Sequence, residues 1–209
     1  MTGEENYGGA LYVPWADADT KGITTETAAQ ALAEAGLPVS KASAYFRNCA
    51  ATGLVHPYTR LRTGKKPYLY RADQLVIASI LHRVAEAAIG DKRLRHRVST
   101  TLNAWNLHDL GFSEEDIAAG NTASDRPRSP AAWALFEYMQ GQRGFSFEIR
   151  TCRNSERGTL DFDCRLTHAP NGKGTNFRLD PADWLVRSAF VTDVDNVLAH
   201  LTRPREVAN

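Results

Sequence analysis

The sequence predicts a mainly α-helical protein with small β elements, in which an N-terminal helical unit precedes a C-terminal α+β domain. Three observations predict it. Apolar residues recur at helical spacing through most of residues 24–119, and alternation of apolar and polar residues is confined to short runs. A polar segment at 120–129, with no apolar residue larger than alanine, lies between the two units. The expected organisation is a tail at 1–22, a helical domain at 23–119, a linker at 120–129 and the C-terminal domain at 130–209.

The first helix opens at Thr24 or Thr25, whose hydroxyls can accept the unpaired N–H groups of the first turn. Ala28, Ala31, Leu32 and Ala35 form its apolar stripe, and Gly36 with Pro38 ends it. Ser40 is expected to cap a second helix that runs to about Thr52 and stops at Gly53. At 100° per residue, Ala42, Phe46, Cys49 and Ala50 fall inward, whereas Lys41, Ala44, Tyr45, Asn48 and Thr52 fall outward with Arg47 on the flank. Beyond Gly53 the pattern becomes strand-like. Arg60 and Arg62 share a face with His56 and Tyr58, Gly64 turns a tip bearing Lys65 and Lys66, and Pro67 to Arg71 returns.

Asp73 is expected to begin a third helix reaching about Gly90, with too many apolar positions for one stripe. Such a helix must be covered on two sides, by its own chain or by a second subunit. Asp91 opens a fourth helix with Leu94, Val98, Leu102 and Trp105 on one stripe, and Ser113 with Asp116 marks a short one. Ser129 and Pro130 start a helix reaching Tyr138 to Gln140, and strands follow at 144–153, 159–167 and near 175–179. The run Asp180-Pro181-Ala182-Asp183 reads as another helix start, and a last helix covers 193–201.

The net charge of +1 divides unevenly. Residues 1–22 carry −3, residues 23–98 carry +7 and residues 99–209 carry −3. A basic block between acidic ones suggests a polyanion-binding module. Helix, turn, helix and basic hairpin in that order is the linear plan of a winged helix-turn-helix. The DNA-binding residues expected from it are Ser40, Lys41, Ser43, Ala44, Tyr45, Arg47 and Asn48 on the second helix, with Arg60, Arg62, Lys65 and Lys66 on the wing.

Residues 23–85 resemble bacterial winged helix-turn-helix proteins, most nearly the MerR-like regulators. The resemblance rests on Val39-Ser40, Tyr45-Phe46, Gly53-Leu54 and the phrase Tyr70-Arg71-Ala72-Asp73-Gln74-Leu75. It implies a sequence-specific transcriptional regulator. The chain departs from that class in having Tyr45-Phe46-Arg47-Asn48 where an Arg-Tyr-Tyr-Glu phrase is usual, and in lacking paired metal-sensing cysteines.

Other chemistry is less well supported. Glu148, Asp161, Asp163 and Lys173 could frame a metal-dependent nuclease site, but Asp161-Phe162-Asp163-Cys164 also alternates as any half-exposed strand does. The histidines lack metal-ligand spacing, and Cys49, Cys152 and Cys164 form no CxxC pair. No catalytic residue, metal or cofactor is expected. The partners expected are double-stranded DNA, a second copy of the chain, and a protein or small-molecule effector at the C-terminal domain. With no membrane span or signal peptide in view, the expected location is the cytoplasm. The rival readings are a phage- or plasmid-type architectural or replication protein, and a nucleic-acid enzyme that uses the winged helix for targeting.

Overall fold

The computed structural model describes residues 22–60, 68–87, 90–122 and 127–202, and shows a mixed α+β protein. Helix α1 (Thr25–Glu34) is capped by Thr24, whose hydroxyl accepts from Thr27 N at 3.3 Å. Ala28, Ala31 and Leu32 are buried as the stripe requires, and Gly36 turns the chain with φ +109°. Helix α2 (Val39–Ala51) starts two residues earlier than expected. Pro38 is its N-cap, with its carbonyl accepting from Lys41 N and Ala42 N, so Ser40 lies inside the first turn and caps nothing.

Strands β1 (Thr59–Arg60) and β2 (Tyr68–Leu69) pair antiparallel with Thr59 opposite Leu69. Ile23 exchanges two backbone hydrogen bonds with Tyr70, at 2.8 and 2.9 Å, which ties the entry of α1 to the base of this hairpin. Tyr70 in turn packs edge-on against Phe46 of α2, 4.8 Å between centroids.

Helix α3 (Ala72–Glu86) is the axle of the molecule. Every residue from Ala72 to Leu81 is buried, against α1, α4, α6 and α7 of the same chain. Over these residues the two-sided covering is intramolecular, so Val76 and Ile80, which with Ala87 are expected to exceed one packing surface, are wholly buried, while Ala87 at the helix end is exposed. Arg71 is its N-cap. Asp73, expected at the helix start, is instead buried within the first turn, where its carboxylate accepts from Ser129 Oγ at 2.8 Å.

Helix α4 (Lys92–Asn103) is capped by Asp91 and buries Leu94, Val98 and Leu102. It ends before Trp105, whose indole N–H donates to the Pro127 carbonyl at 2.6 Å. A 3-10 turn (Leu107–Leu110) and α5 (Glu114–Ala118) follow, the latter held by a reciprocal Ser113/Asp116 capping box. Of the described parts of the polar segment, Gly120 and Asn121 are exposed, whereas Pro127 and Ser129 are buried. Helix α6 (Pro130–Met139) is capped by Ser129 and packs on α3 and α4, and one apolar core runs from Ile23 to Leu201.

The C-terminal sheet is antiparallel with strand order β5-β4-β3-β6, formed by β3 (Phe145–Asn154), β4 (Leu160–His168), β5 (Lys173–Gly174) and β6 (Trp184–Asp193). Phe145, Phe147 and Ile149 point from β3 into the core, where Trp133 and His168 surround Phe145. Helix α7 (Val194–Leu201) returns across β3 and α3.

The expected helix at Asp180 is a correction. The Asp180 carboxylate and carbonyl accept from Ala182 N, Asp183 N and Trp184 N, completing a single turn, and the chain then enters β6. Leu185, Val186, Val191 and Thr192, with Trp184 and Phe190, favour a strand over a helix. No helix among the described residues is long and apolar enough to cross a membrane.

Candidate nucleic-acid interface

Helix α2 has two unlike faces. Ala42, Phe46 and Cys49 are buried on one side, and burial pushes the Cys49 thiol above its ordinary value, leaving it protonated. On the other side Ser40, Lys41, Ala44, Arg47 and Asn48 are exposed, with Ser43 half-buried at the edge. The helix is thus fixed by its inner face while its outer face offers hydroxyl, amide and two cations around one small residue. Among the described residues Lys41 makes no ion pair and the Asn48 amide makes no hydrogen bond. Among the described residues Arg47 has one acidic partner, Glu26, at 3.7 Å. Both side chains are about two-thirds exposed or more (66% and 72%), so the pair is weak and its guanidinium is easily redirected.

Tyr45 is the exception, and a correction to the expected outward set. Its hydroxyl donates to the Ala78 carbonyl of α3 at 3.0 Å and its ring meets His82 edge-on at 5.6 Å. Burial drives its phenol far above the ordinary value, so the hydroxyl remains a donor. A tyrosine on the flank of a helix is long enough to reach the neighbouring helix, and here it pins α2 to α3. Arg60 enters β1, while Arg62, Lys65 and Lys66 lie outside the described residues.

Beneath this face a buried polar network holds the turn that follows α2. Gln74 accepts from His56 N at 2.8 Å and donates to Asn103 Oδ1 at 2.8 Å and to Asp73 Oδ2 at 3.3 Å. Ser99 Oγ donates to the Leu54 carbonyl at 2.7 Å, and the Asn103 amide donates to Ser99 Oγ. Nothing in the sequence distinguishes Gln74, Ser99 and Asn103, because each looks like an ordinary polar helix residue until its partner is known. Asp73 retains one oxygen, Oδ1, without a hydrogen bond among the described residues. Burial pushes its carboxyl up, although Ser129 and Gln74 oppose that.

The carboxylates that could have framed a nuclease site are engaged elsewhere. Glu148 accepts from Arg150 Nε at 2.8 Å and from Arg165 Nη2 at 2.8 Å. Burial alone would raise its carboxyl, but the two guanidinium groups outweigh that and hold it below the usual glutamate range. Asp163 accepts from the N–H groups of Arg178 and Leu179, at 2.9 and 2.8 Å, fastening the 175–183 segment over the outer face of the sheet. Phe177 of that segment lies under Arg150 and Arg165. Asp161 pairs with Arg97 at 3.6 Å. No cluster of three or more His, Cys, Asp or Glu suited to a metal occurs among the described residues.

No family model matches the chain, and no curated protein or solved structure does either. The functional reading therefore rests on its own residues.

Proposed function

We propose that the protein is a sequence-specific DNA-binding transcriptional regulator of winged helix-turn-helix type, similar to the MerR-like class. The observation that carries this reading is the outer face of α2. Ser40, Lys41, Ala44, Arg47 and Asn48 are exposed together on a helix locked from behind by Phe46, Cys49 and Tyr45. A rigid helix with a small residue between cations and an amide suits the major groove. Lysine and arginine would hold phosphates or guanine, and Asn48 can bond adenine through two hydrogen bonds. The hairpin that follows would lie against the backbone, braced at its base by Ile23 and Tyr70. The block of +7 over residues 23–98 supplies the field that draws in a polyanion. A two-fold dimer on a palindromic site completes the proposal.

In vitro selection of duplexes by the full-length chain tests it. A defined motif, with affinity falling steeply between about 50 and 200 mM salt, is the expected result. Binding without sequence preference would favour an architectural role, and no duplex binding at low salt overturns the proposal.

A further inference from the structure

The two edges of the C-terminal sheet differ in a way the rest of the protein does not explain. Edge strands with unpaired N–H and C=O groups invite other strands, and proteins usually blunt them with shortness, charged residues, proline or a bulge. The β5 edge is blunted. It is two residues long, carries Lys173, and follows Pro170 closely. A side chain on Gly174 would overlap the Leu166 carbonyl of β4.

The β6 edge is much less protected, its one blunting feature being the bulge at Arg187. It runs for ten residues without lysine, proline or glycine, and among the described residues its one strand partner is β3. Leu185, Val186 and Val191 are 56%, 52% and 59% exposed, high values for apolar residues in a strand. The strand's two charges, Arg187 and Asp193, are opposite in sign. An antiparallel copy laid alongside therefore meets no net repulsion.

The register on β3 tells which residues share a face. Val191 and Ala189 lie opposite Glu148 and Arg150, and Phe190 and Thr192 opposite Ile149 and Phe147. Between Ser188, opposite Thr151, and Val186, opposite Cys152, Arg187 is the extra residue of a bulge. Trp184, Val186, Ala189, Val191 and Asp193 therefore share the outer face, and Leu185, Ser188, Phe190 and Thr192 the inner one.

A two-fold axis perpendicular to a sheet keeps each face on its own side. Placed at Ala189, it sets Ser188 opposite Phe190, Val186 opposite Val191, Leu185 opposite Thr192 and Trp184 opposite Asp193. Every pair joins residues of one face, Arg187 remains the bulge in both copies, and the whole strand is used. Ala189 is the centre because, with Arg187 set aside as the bulge, four residues of β6 lie on each side of it.

We propose that β6 is the self-association surface, pairing antiparallel with β6 of a second copy about an axis at Ala189 to give one eight-stranded sheet. The inference shares only the expectation of a dimer with the DNA-binding proposal, and stands on the sheet alone.

Single-cysteine crosslinking in the full-length chain tests it, since Cys49, Cys152 and Cys164 are buried. Facing Cα atoms in an antiparallel pair are ~4.5–5.5 Å apart, inside the disulfide range. Under mild oxidation, Ala189→Cys should give mostly covalent dimer on a non-reducing gel. Ser188→Cys should not, because its two copies are offset by about 7 Å along the strands. Sedimentation should find the unmodified chain dimeric at micromolar concentration and Val191→Lys dissociated at least ten-fold more readily. A monomeric unmodified chain, equal crosslinking at both positions, or an undisturbed Val191→Lys dimer would each overturn the proposal. Half-site binding by the Val191→Lys protein is read separately, and its loss would count against the DNA-binding reading rather than against the edge pairing.

Discussion

The helical N-terminal part and the C-terminal sheet use arginine and lysine in opposite ways. On α2, Lys41 and Arg47 stand in solvent and, among the described residues, the one ion pair is that of Arg47 with Glu26. On the sheet, Arg150 and Arg165 share Glu148 and stack on Phe177, and Arg97 reaches Asp161. The first set is available to an external anion, and the second is consumed in holding strands and a covering segment together. Counting charges would not separate these roles. What distinguishes them is whether a carboxylate of the same chain already occupies each cation.

The largest test of the contrast lies within α2 itself. Phe46→Ala should cost about 3–5 kcal/mol in chemical denaturation, because the ring is wholly buried and packs on Tyr70. Asn48→Ala, two residues on, should change stability by less than about 0.5 kcal/mol while costing about 1–3 kcal/mol of discrimination between preferred and mismatched duplexes. Equal stability losses would remove the distinction between the faces.

On the sheet, Glu148→Gln should lower unfolding free energy by about 1–3 kcal/mol and leave duplex affinity unchanged well below Tm. A fall in affinity at constant foldedness would mean that the paired arginines also meet DNA. Lys41→Ala or Arg47→Ala should do the reverse. Each should leave the denaturation midpoint in place and reduce the slope of log affinity against log salt by about 1.

The smallest effect concerns pH. Glu148, held low, contributes stability that is present above its unfolded pKa of ~4.3 and lost as pH falls through its folded value. Asp73, pushed high, acts in the opposite sense. Its contribution is full below the unfolded value of ~3.9 and is lost as pH rises through the folded one. Asp73→Asn keeps a polar atom for Ser129 and should flatten the decline in Tm between mildly acidic and neutral pH. Parallel Tm profiles for variant and parent would place the titration elsewhere.

Local rules make much of the fold legible in the sequence alone. Thr24, Asp91, Ser113 and Ser129 cap helices as their side chains suggest, and the inner face of α2 follows from helical phase. Those rules fail where a distant partner decides. Tyr45 turns inward because a carbonyl on α3 lies within its reach, and Asp73 caps nothing because Ser129 arrives beside it. At Asp180 a sound helix signal yields one turn and no more, since the ten residues after it gain more from pairing with β3. The bulge at Arg187 also hides that strand by breaking its alternation.

The bond between Asp73 and Ser129 carries a consequence for synthesis. Its two ends lie 56 residues apart in the chain, and a ribosome adding about 5–20 residues per second needs roughly 3–11 s to cover that distance. The sequences of α3 and α4 are completed within that interval and that of α6 only after it, so until Ser129 is added the Asp73 carboxylate has Gln74 but no serine hydroxyl. The surface of α3 that α6 and α7 later cover has neither partner until those helices are made. Nascent chains stalled between Asn103 and Ser129 should therefore aggregate more readily than the complete chain, because they lack both helices that cover this side of α3.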